Sequence, residues 1–277
     1  MGMQKMLIRV LALLLLFAVF VFEANATGPR IKQDLFSPNV NTVYALDFPP
    51  FVTTDLAYGG LVLELANAVF ETEKIDAPII SQPLARMLKY YLFQEQALAV
   101  IGSHLTFSQQ EQQQLIAVPL LRLKQYYYIY HAKYPQGLPW NNDLSALKDK
   151  VYGADSEENV EAYLKAGIRI EHGKLLTLLD KLKGGQVDFI SGVEPAVDWY
   201  LQRNFSKDHE QFIRLEPMAG DQTISVIFNK KHPKGETIAK QFREGLETLI
   251  ANGQYRTLLE KRLGGNEGIE RYTLPLR

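Results

Sequence analysis

The sequence predicts an α/β protein of two lobes, each a largely parallel sheet covered by helices, joined by two extended crossings. Three observations predict it. Short apolar runs alternate with amphipathic helical stretches. The alternation pauses after Gly102 and restarts near Lys150 in the same order. Two β-prone stretches, 125–131 and 223–230, stand where a chain that leaves the first lobe and returns to it has to cross.

Residues 43–48 read as a strand. Residues 61–70 read as a helix, because Leu61, Leu65, Ala68 and Val69 share one face. A short strand over 78–81 and a helix over 84–93 follow, then an apolar run over 97–101 suited to a strand buried on both faces. In the second half 150–154 is strand-like. A helix is expected from Ser156, with Asp155 as its N-cap and Glu158 three residues on, a variant of the capping box. Residues 168–171 are extended, 174–183 carry a helical stripe of Leu175, Leu178, Leu179 and Leu182, and 187–191 are apolar again. The segments LARMLKYYLFQEQALAVIG (84–102) and KLLTLLDKLKGGQVDFISG (174–192) echo each other as helix, polar turn and strand closed by glycine. After the second crossing come a long helix over 236–250, with Ile238, Phe242, Leu246 and Leu249 inward, and a short one over 255–263.

The 277 residues, 47% hydrophobic, suffice for two modest domains with a real core. A net charge of −1 argues against a nucleic-acid binder. The absence of cysteine excludes disulfides, thiolate metal sites and a lipid-modified cysteine anchor. Five scattered histidines show no ligand spacing, so no metal is expected. No Gly-x-Gly-x-x-Gly, P-loop or nucleophile elbow is present, and no cofactor is expected. At the start, Lys5 and Arg9 precede an apolar run over 10–22, and Ala24-Asn25-Ala26 offers a cleavage site after Ala26. The run is shorter than the roughly 20 residues that span a bilayer. This predicts an exported, periplasmic protein with a leader over 1–26 and a polar lead-in from Thr27; the competing reading is an uncleaved anchor.

Ligands of open α/β sheets bind beyond the carboxyl ends of the strands. Those ends carry Asp47 and Phe51, then Arg86, then Ser103, His104 and Thr106; in the second lobe they carry Asp155 and Ser156, then Glu194. Lobes that face one another gather these into a cleft with the profile of a small polar ligand site. Pro49 and Pro50 fix φ and remove two backbone donors, so the strand stops and Phe51 is presented as a rigid wall. Its alternative is to cap a core. Arg86, in Pro83-Leu84-Ala85-Arg86, is either a ligand cation or a surface arginine. Ser156 and Glu194 are either ligand contacts or helix-terminus residues favoured by the dipole. His104 reads equally as a buried, satisfied histidine. Asp188 reads as structural, Arg122 and the Tyr126-Tyr127-Tyr128 run as hinge strand, and the glutamine tract over 109–114 as a solvated, helix-compatible segment.

DFPPF (47–51) followed by YGGLVLELANAVF (58–70) resembles the opening of the periplasmic solute-binding proteins of the polar amino acid type, family 3. LTFSQQEQQQLIAVPLL (105–121) resembles the segment that ends their first lobe, and GGQVDFISG (184–192) a strand of their second. The stretch over 224–265, with its Asn-Gly-Gln-Tyr turn, is similar to their closing strand and helices. The resemblance covers nearly all of the chain after the leader. It implies a two-lobe, type II-like periplasmic binding protein fold, with lobe one over 27–123 and 222–277, lobe two over 124–221, and two hinge strands. It implies a monomer that captures a small polar solute, anionic or zwitterionic, for an ABC transporter or a membrane sensor, and that is not an enzyme. The ligand-binding set expected from the strand ends is Phe51, Arg86, Ser103, His104, Thr106, Ser156 and Glu194, and the resemblance puts the last near where the family places an acid for the ligand's amino group.

One departure stands out. The family holds an α-carboxylate with an arginine just after a Thr-x-Thr-like turn; here that turn matches 104–108, and 103–121 contains no arginine. Arg–carboxylate forks are among the strongest contacts available, so a standard α-amino acid ligand is not expected. Two other functions fit the same resemblance. One is a cyclohexadienyl dehydratase-like enzyme using His104 with Glu194. The other is an interaction module that has lost its ligand.

Overall fold

The computed structural model describes residues 41–82, 85–156 and 158–263. The expected leader over 1–26 and the lead-in up to residue 40 lie outside the described residues, as does Leu84, where the second helix was expected to begin.

Lobe one opens with β1 (Val43–Leu46), α1 (Leu61–Thr72), β2 (Ile79–Gln82), α2 (Ala85–Phe93) and β3 (Ala99–Ser103). β1 lies between β2 and β3 and is parallel to both. A 3-10 turn, His104–Thr106, leads to the short helix α3 (Gln109–Gln112). There Ser108 and Glu111 form a capping box: the Ser108 hydroxyl accepts the Glu111 N–H, and the Glu111 carboxylate accepts the Ser108 N–H. β4 (Leu115–Tyr130) then crosses to lobe two, which contains β5 (Val151–Ala154), α4 (Glu161–Lys165), β6 (Arg169–His172), α5 (Leu175–Lys183), β7 (Phe189–Val193), α6 (Glu194–Asn204) and β8 (Phe212–Arg214). β9 (Gly220–Asn229) returns the chain to lobe one, where α7 (Gly235–Ala251) and α8 (Gln254–Leu263) close the fold.

The ladder runs β2-β1-β3-β9-β4-β7-β5-β6, with β8 also on β4. The sequence suggested two separate sheets; the ladder is unbroken because the two crossing strands pair with each other and β4 continues into lobe two. It pairs antiparallel with β9 from Leu115 to Gln125, and with β7 from Gln125 to Tyr128. Gln125 is therefore the residue at which β4 changes neighbours. The stretch expected as a crossing over 125–131 is the far end of a 16-residue strand. Arg122 sits on this strand and pairs with Asp221 of β9. The register slips between Pro119 and Leu121. Proline has no N–H for the ladder, and an extra residue bends a strand. The Leu120 carbonyl, left out of the pairing, accepts the Tyr255 hydroxyl of α8 at 2.7 Å.

Each lobe has a core on both faces of its sheet. In lobe one Leu65 and Val69 of α1, Phe242 and Leu246 of α7 and Leu259 of α8 pack with Val43 and Phe228. On the other face Leu88 and Leu92 of α2 pack with Tyr44 and Val100. In lobe two Leu178, Leu179 and Leu182 of α5 and Val197 and Leu201 of α6 meet Tyr126 and Tyr128. Tyr127 and Ile129 point oppositely, to Tyr152, Ile168 and Phe189. The three-tyrosine run is thus a period-2 strand feeding two cores. Each buried leucine contributes about 1.5–3 kcal/mol, enough for a stripe of three to dock α5, which is too short to persist alone.

One expected element is absent. No helix starts at Ser156, and α4 begins only at Glu161. Asp155 and Glu158 instead close a turn, in which the Glu158 N–H donates to the Asp155 carbonyl at 3.0 Å. The Glu158 carboxylate accepts the Tyr152 hydroxyl at 2.7 Å and the Asp155 N–H at 3.3 Å. The Glu158 side chain thus reaches back to the Asp155 N–H as in a capping box and also holds the buried tyrosine, but the backbone makes a turn instead of continuing as a helix.

Candidate ligand-binding site

Three parallel strands of lobe one end side by side. Ser81 of β2 and Ile101 of β3 both pair with Ala45 of β1. Asp47 and Ser103 lie two residues further along their own chains, so a carboxylate and two hydroxyl residues share this edge. The chain then turns at once: the Phe51 and Val52 N–H groups donate to the Phe48 carbonyl at 2.9 and 3.0 Å. Thr53, only 4% exposed, accepts the Asp55 N–H on its hydroxyl at 3.2 Å. The turn is anchored from beneath by the Val62 N–H of α1, which donates to the Phe51 carbonyl at 2.9 Å. At Gly60, where φ is +100°, a Cβ would stand 2.4 Å from that carbonyl oxygen, so only glycine admits the helix start here.

Helix α6 faces this edge. Trp199, Tyr200, Arg203 and Asn204, with Leu176 of α5, close a cavity of about 530 Å³ whose other wall is Asp47, Pro49, Thr53, Thr54, Asp55 and Ser81. The Arg203 guanidinium lies over the Trp199 ring, 3.2 Å from its centroid, as i,i+4 neighbours on a helix allow. Loss of hydration, and then the neighbouring Asp55, hold the Asp47 carboxyl above its ordinary range. The Tyr200 hydroxyl is pushed up by burial and by both Asp47 and Asp55, which puts a lobe-two phenol in the field of two lobe-one carboxylates. Among the described residues neither carboxylate has an ion-pair partner.

None of the seven residues that the sequence singled out as ligand-binding lines this cavity. The expectation of Phe51 as an exposed wall is corrected: it is 1% exposed, inside the lobe-one core, because the turn folds its ring beneath α1. Pro49, two residues before it, is the one that reaches the cavity. Arg86 is exposed in the first turn of α2. Ser103 is buried at the edge described above; His104 and Thr106 are half-buried on the following 3-10 turn, where the His104 carbonyl accepts the Gln112 amide at 3.2 Å.

Ser156 is exposed beyond β5. Glu194 opens α6 and pairs with Arg214 of β8 at 2.8 Å. Arg214 also bonds Glu216 at 2.8 Å and lies 4.3 Å over the Tyr126 ring. The carboxylate that the resemblance assigns to a ligand amino group therefore already faces a guanidinium. Its neighbours on the lobe-two edge are similarly engaged: the Tyr152 hydroxyl donates to Glu158 and lies 2.6 Å from the Ser191 hydroxyl, which accepts the Gln125 amide at 2.9 Å. Asp188 serves the lobe-two interior, accepting the Tyr134 hydroxyl at 2.6 Å and the Val151 N–H at 2.7 Å.

The sequence reading placed Asp47 at a strand end but did not single out Asp55, Ser81, Trp199, Tyr200 or Arg203. The signal available for the helix was the Trp199–Arg203 spacing after a Pro at the helix start; for Asp55 there was none. Among the described residues no three His, Asp or Glu side chains group to hold a metal ion, and no helix is long and apolar enough to cross a membrane.

No protein-family model and no curated protein matches the sequence. Solved structures do. The GluR0 ligand-binding core from Nostoc punctiforme, in complex with L-glutamate, is similar with a TM-score of 0.64 at 17% identity, covering 81% of this chain and 99% of that one. The arginine-, lysine-, histidine-binding protein ArtJ from Geobacillus stearothermophilus gives 0.62 at 20% identity, over 83% and 98%. A histidine kinase sensor domain with similarity to periplasmic binding proteins gives 0.64 at 16% identity, over 82% and 98%. The fold is thus the two-lobe fold of the periplasmic binding proteins.

Proposed function

We propose that this chain is a periplasmic solute-binding protein whose lobes close on a small polar solute and present it to an ABC importer or a membrane sensor, without a cofactor and without turning the solute over. The observation that carries this reading is the cavity itself: a strand-end turn of lobe one forms one wall and a helix of lobe two the other. A solute that touches both walls stabilises the closed form and shifts a two-state hinge. The change of partner at Gln125 and the bulge at Leu120 support a pivot at the boundary between 27–123 with 222–277 and 124–221. Ligand pockets commonly measure about 300–1,000 Å³, and this one falls within that span.

The contacts we assign are Asp47, Thr53, Ser81, Trp199, Tyr200 and Arg203. Ser103, His104, Thr106 and Ser156 form the rim that closure brings inward, with Arg86 and Glu194 outside them and Phe51 as the support of the lobe-one wall. Export rests on the leader pattern over 1–26. The test is mass spectrometry of solutes that co-purify with the protein, followed by thermal melts with each one. A true ligand raises Tm, because only the native state binds it, and Trp199→Ala abolishes the rise. A rise that persists in Trp199→Ala overturns this site, and conversion of the solute to product overturns the reading as a binder.

A further inference from the structure

The two walls of the cavity carry opposite charge, and the inference drawn from this rests on the binding function proposed above. Lobe one contributes Asp47 and Asp55; lobe two contributes Arg203. Among the described residues neither carboxylate has a cation beside it, and Arg203 has no carboxylate partner, its guanidinium lying over the Trp199 ring. The family resemblance implies the reverse polarity, with an arginine on lobe one and an acid on lobe two. That arrangement is unavailable here. Residues 103–121 hold no arginine, and Glu194 is bonded to Arg214 at 2.8 Å.

We infer that the solute is a zwitterion whose ammonium group docks on Asp47 and Asp55 of lobe one and whose anionic end docks on Arg203 and Asn204 of lobe two. An alkylammonium has three N–H donors. Two unpaired carboxylates and the hydroxyl of Ser81 on the same edge supply acceptors for all three. Burial first, and the charge of the neighbouring carboxylates second, make Asp47 on that wall and Tyr200 across from it ionise less readily than usual, and a bound cation relieves the second of these. On the other wall the Arg203 guanidinium rests 3.2 Å from the Trp199 ring centroid, a contact that leaves its N–H groups for an acceptor. A solute with both ends draws the lobes together, which a pure cation or a pure anion does only on one side.

The experiment uses three five-carbon probes on the full protein: 5-aminovalerate, cadaverine and glutarate. Thermal melts and calorimetric titration are run on the wild type, the double variant Asp47→Asn/Asp55→Asn, Arg203→Gln and Glu194→Gln. 5-Aminovalerate is expected to stabilise most, cadaverine less and glutarate not at all. Losing the two carboxylate contacts weakens 5-aminovalerate about 10- to 100-fold, the range for hydrogen bonds to charged groups. Arg203→Gln weakens 5-aminovalerate about tenfold but leaves cadaverine unweakened, and Glu194→Gln leaves both unchanged. Melts without solute check that each variant folds. Glutarate stabilising as well as 5-aminovalerate overturns the inference, as does affinity that survives the double variant and is lost in Glu194→Gln. If none of the probes binds and a co-purified solute without an ammonium group does, this inference fails while the binding function stands. If no solute of any charge stabilises the protein, both fail.

Discussion

The two edges that face each other across the cavity are built from the same kind of unit, a parallel strand ending in a polar residue, yet they treat that residue differently. In lobe two the strand-end carboxylates are satisfied within the lobe: Glu194 by Arg214, and Glu158 by the Tyr152 hydroxyl. In lobe one Asp47 stands beside Asp55 on a turn braced by Phe51 and Gly60, with no cation near either among the described residues. A buried or crowded charge destabilises a fold unless something compensates it. Lobe two therefore supplies partners for its acids, although burial still holds the Glu158 carboxyl above its ordinary range, while lobe one leaves Asp47 and Asp55 without a cation, which a ligand can supply. Chemistry at the end of a strand is a poor guide to a binding site; whether the group is already partnered is a better one.

This contrast can be broken at four points. The largest effect is expected at the brace: Phe51→Ala removes a fully buried ring and should destabilise by about 3–5 kcal/mol, read by urea unfolding. A loss under about 1 kcal/mol would mean that the lobe-one edge does not rest on the core. Next, Tyr152→Phe strips the donor from Glu158, whose carboxyl is held above its ordinary range chiefly by burial. A loss of about 1–3 kcal/mol is expected, and a neutral outcome would mean that lobe two does not satisfy its own acid. Glu194→Gln breaks a partly exposed pair, and about 0.5–1 kcal/mol is expected at low salt, shrinking as salt is added.

The smallest effect has the opposite sign. Asp47→Asn should stabilise the unliganded protein by about 0.3 kcal/mol at pH 7, a small figure because solvent screens this exposed group. The pH dependence follows from the direction of the shift. The folded Asp47 carboxyl binds its proton more tightly than the unfolded one, so its contribution to stability is fully present below the ordinary carboxylate range. It is lost as pH rises through the folded value. The advantage of Asp47→Asn in thermal melts should accordingly appear at neutral pH and vanish in acid, and an advantage that is constant with pH would contradict the crowding of charge on this wall.

Much of the architecture was legible because periodicity reports burial directly. The leucine stripe over 175–182 and the inward set Ile238, Phe242, Leu246 and Leu249 gave helices close to those observed. The echo of 84–102 in 174–192 corresponds to α2 with β3 and α5 with β7. Local signals failed where the surroundings intervened: the Glu158 carboxylate does reach the Asp155 N–H, but it also holds the buried Tyr152 hydroxyl, and the segment stays a turn with the helix delayed to Glu161. Phe51 was misread for the same reason, since Pro49 and Pro50 define the turn but not the side beneath which α1 lies. The cavity was the least legible part. Its lobe-two wall comes from the outer turns of α6, and which face of that helix meets lobe one is set by tertiary geometry that no local pattern encodes. Arg214 is equally telling: nothing near it in the chain marks it as the partner that occupies Glu194.

The Tyr255 hydroxyl has a consequence for how the molecule matures. It fastens the surplus residue of β4, so a strand that runs through both halves is secured by a group that leaves the ribosome long after it. On the pivot proposed above, a nascent chain that already holds both cavity walls but not yet α8 lacks this fastening of Leu120.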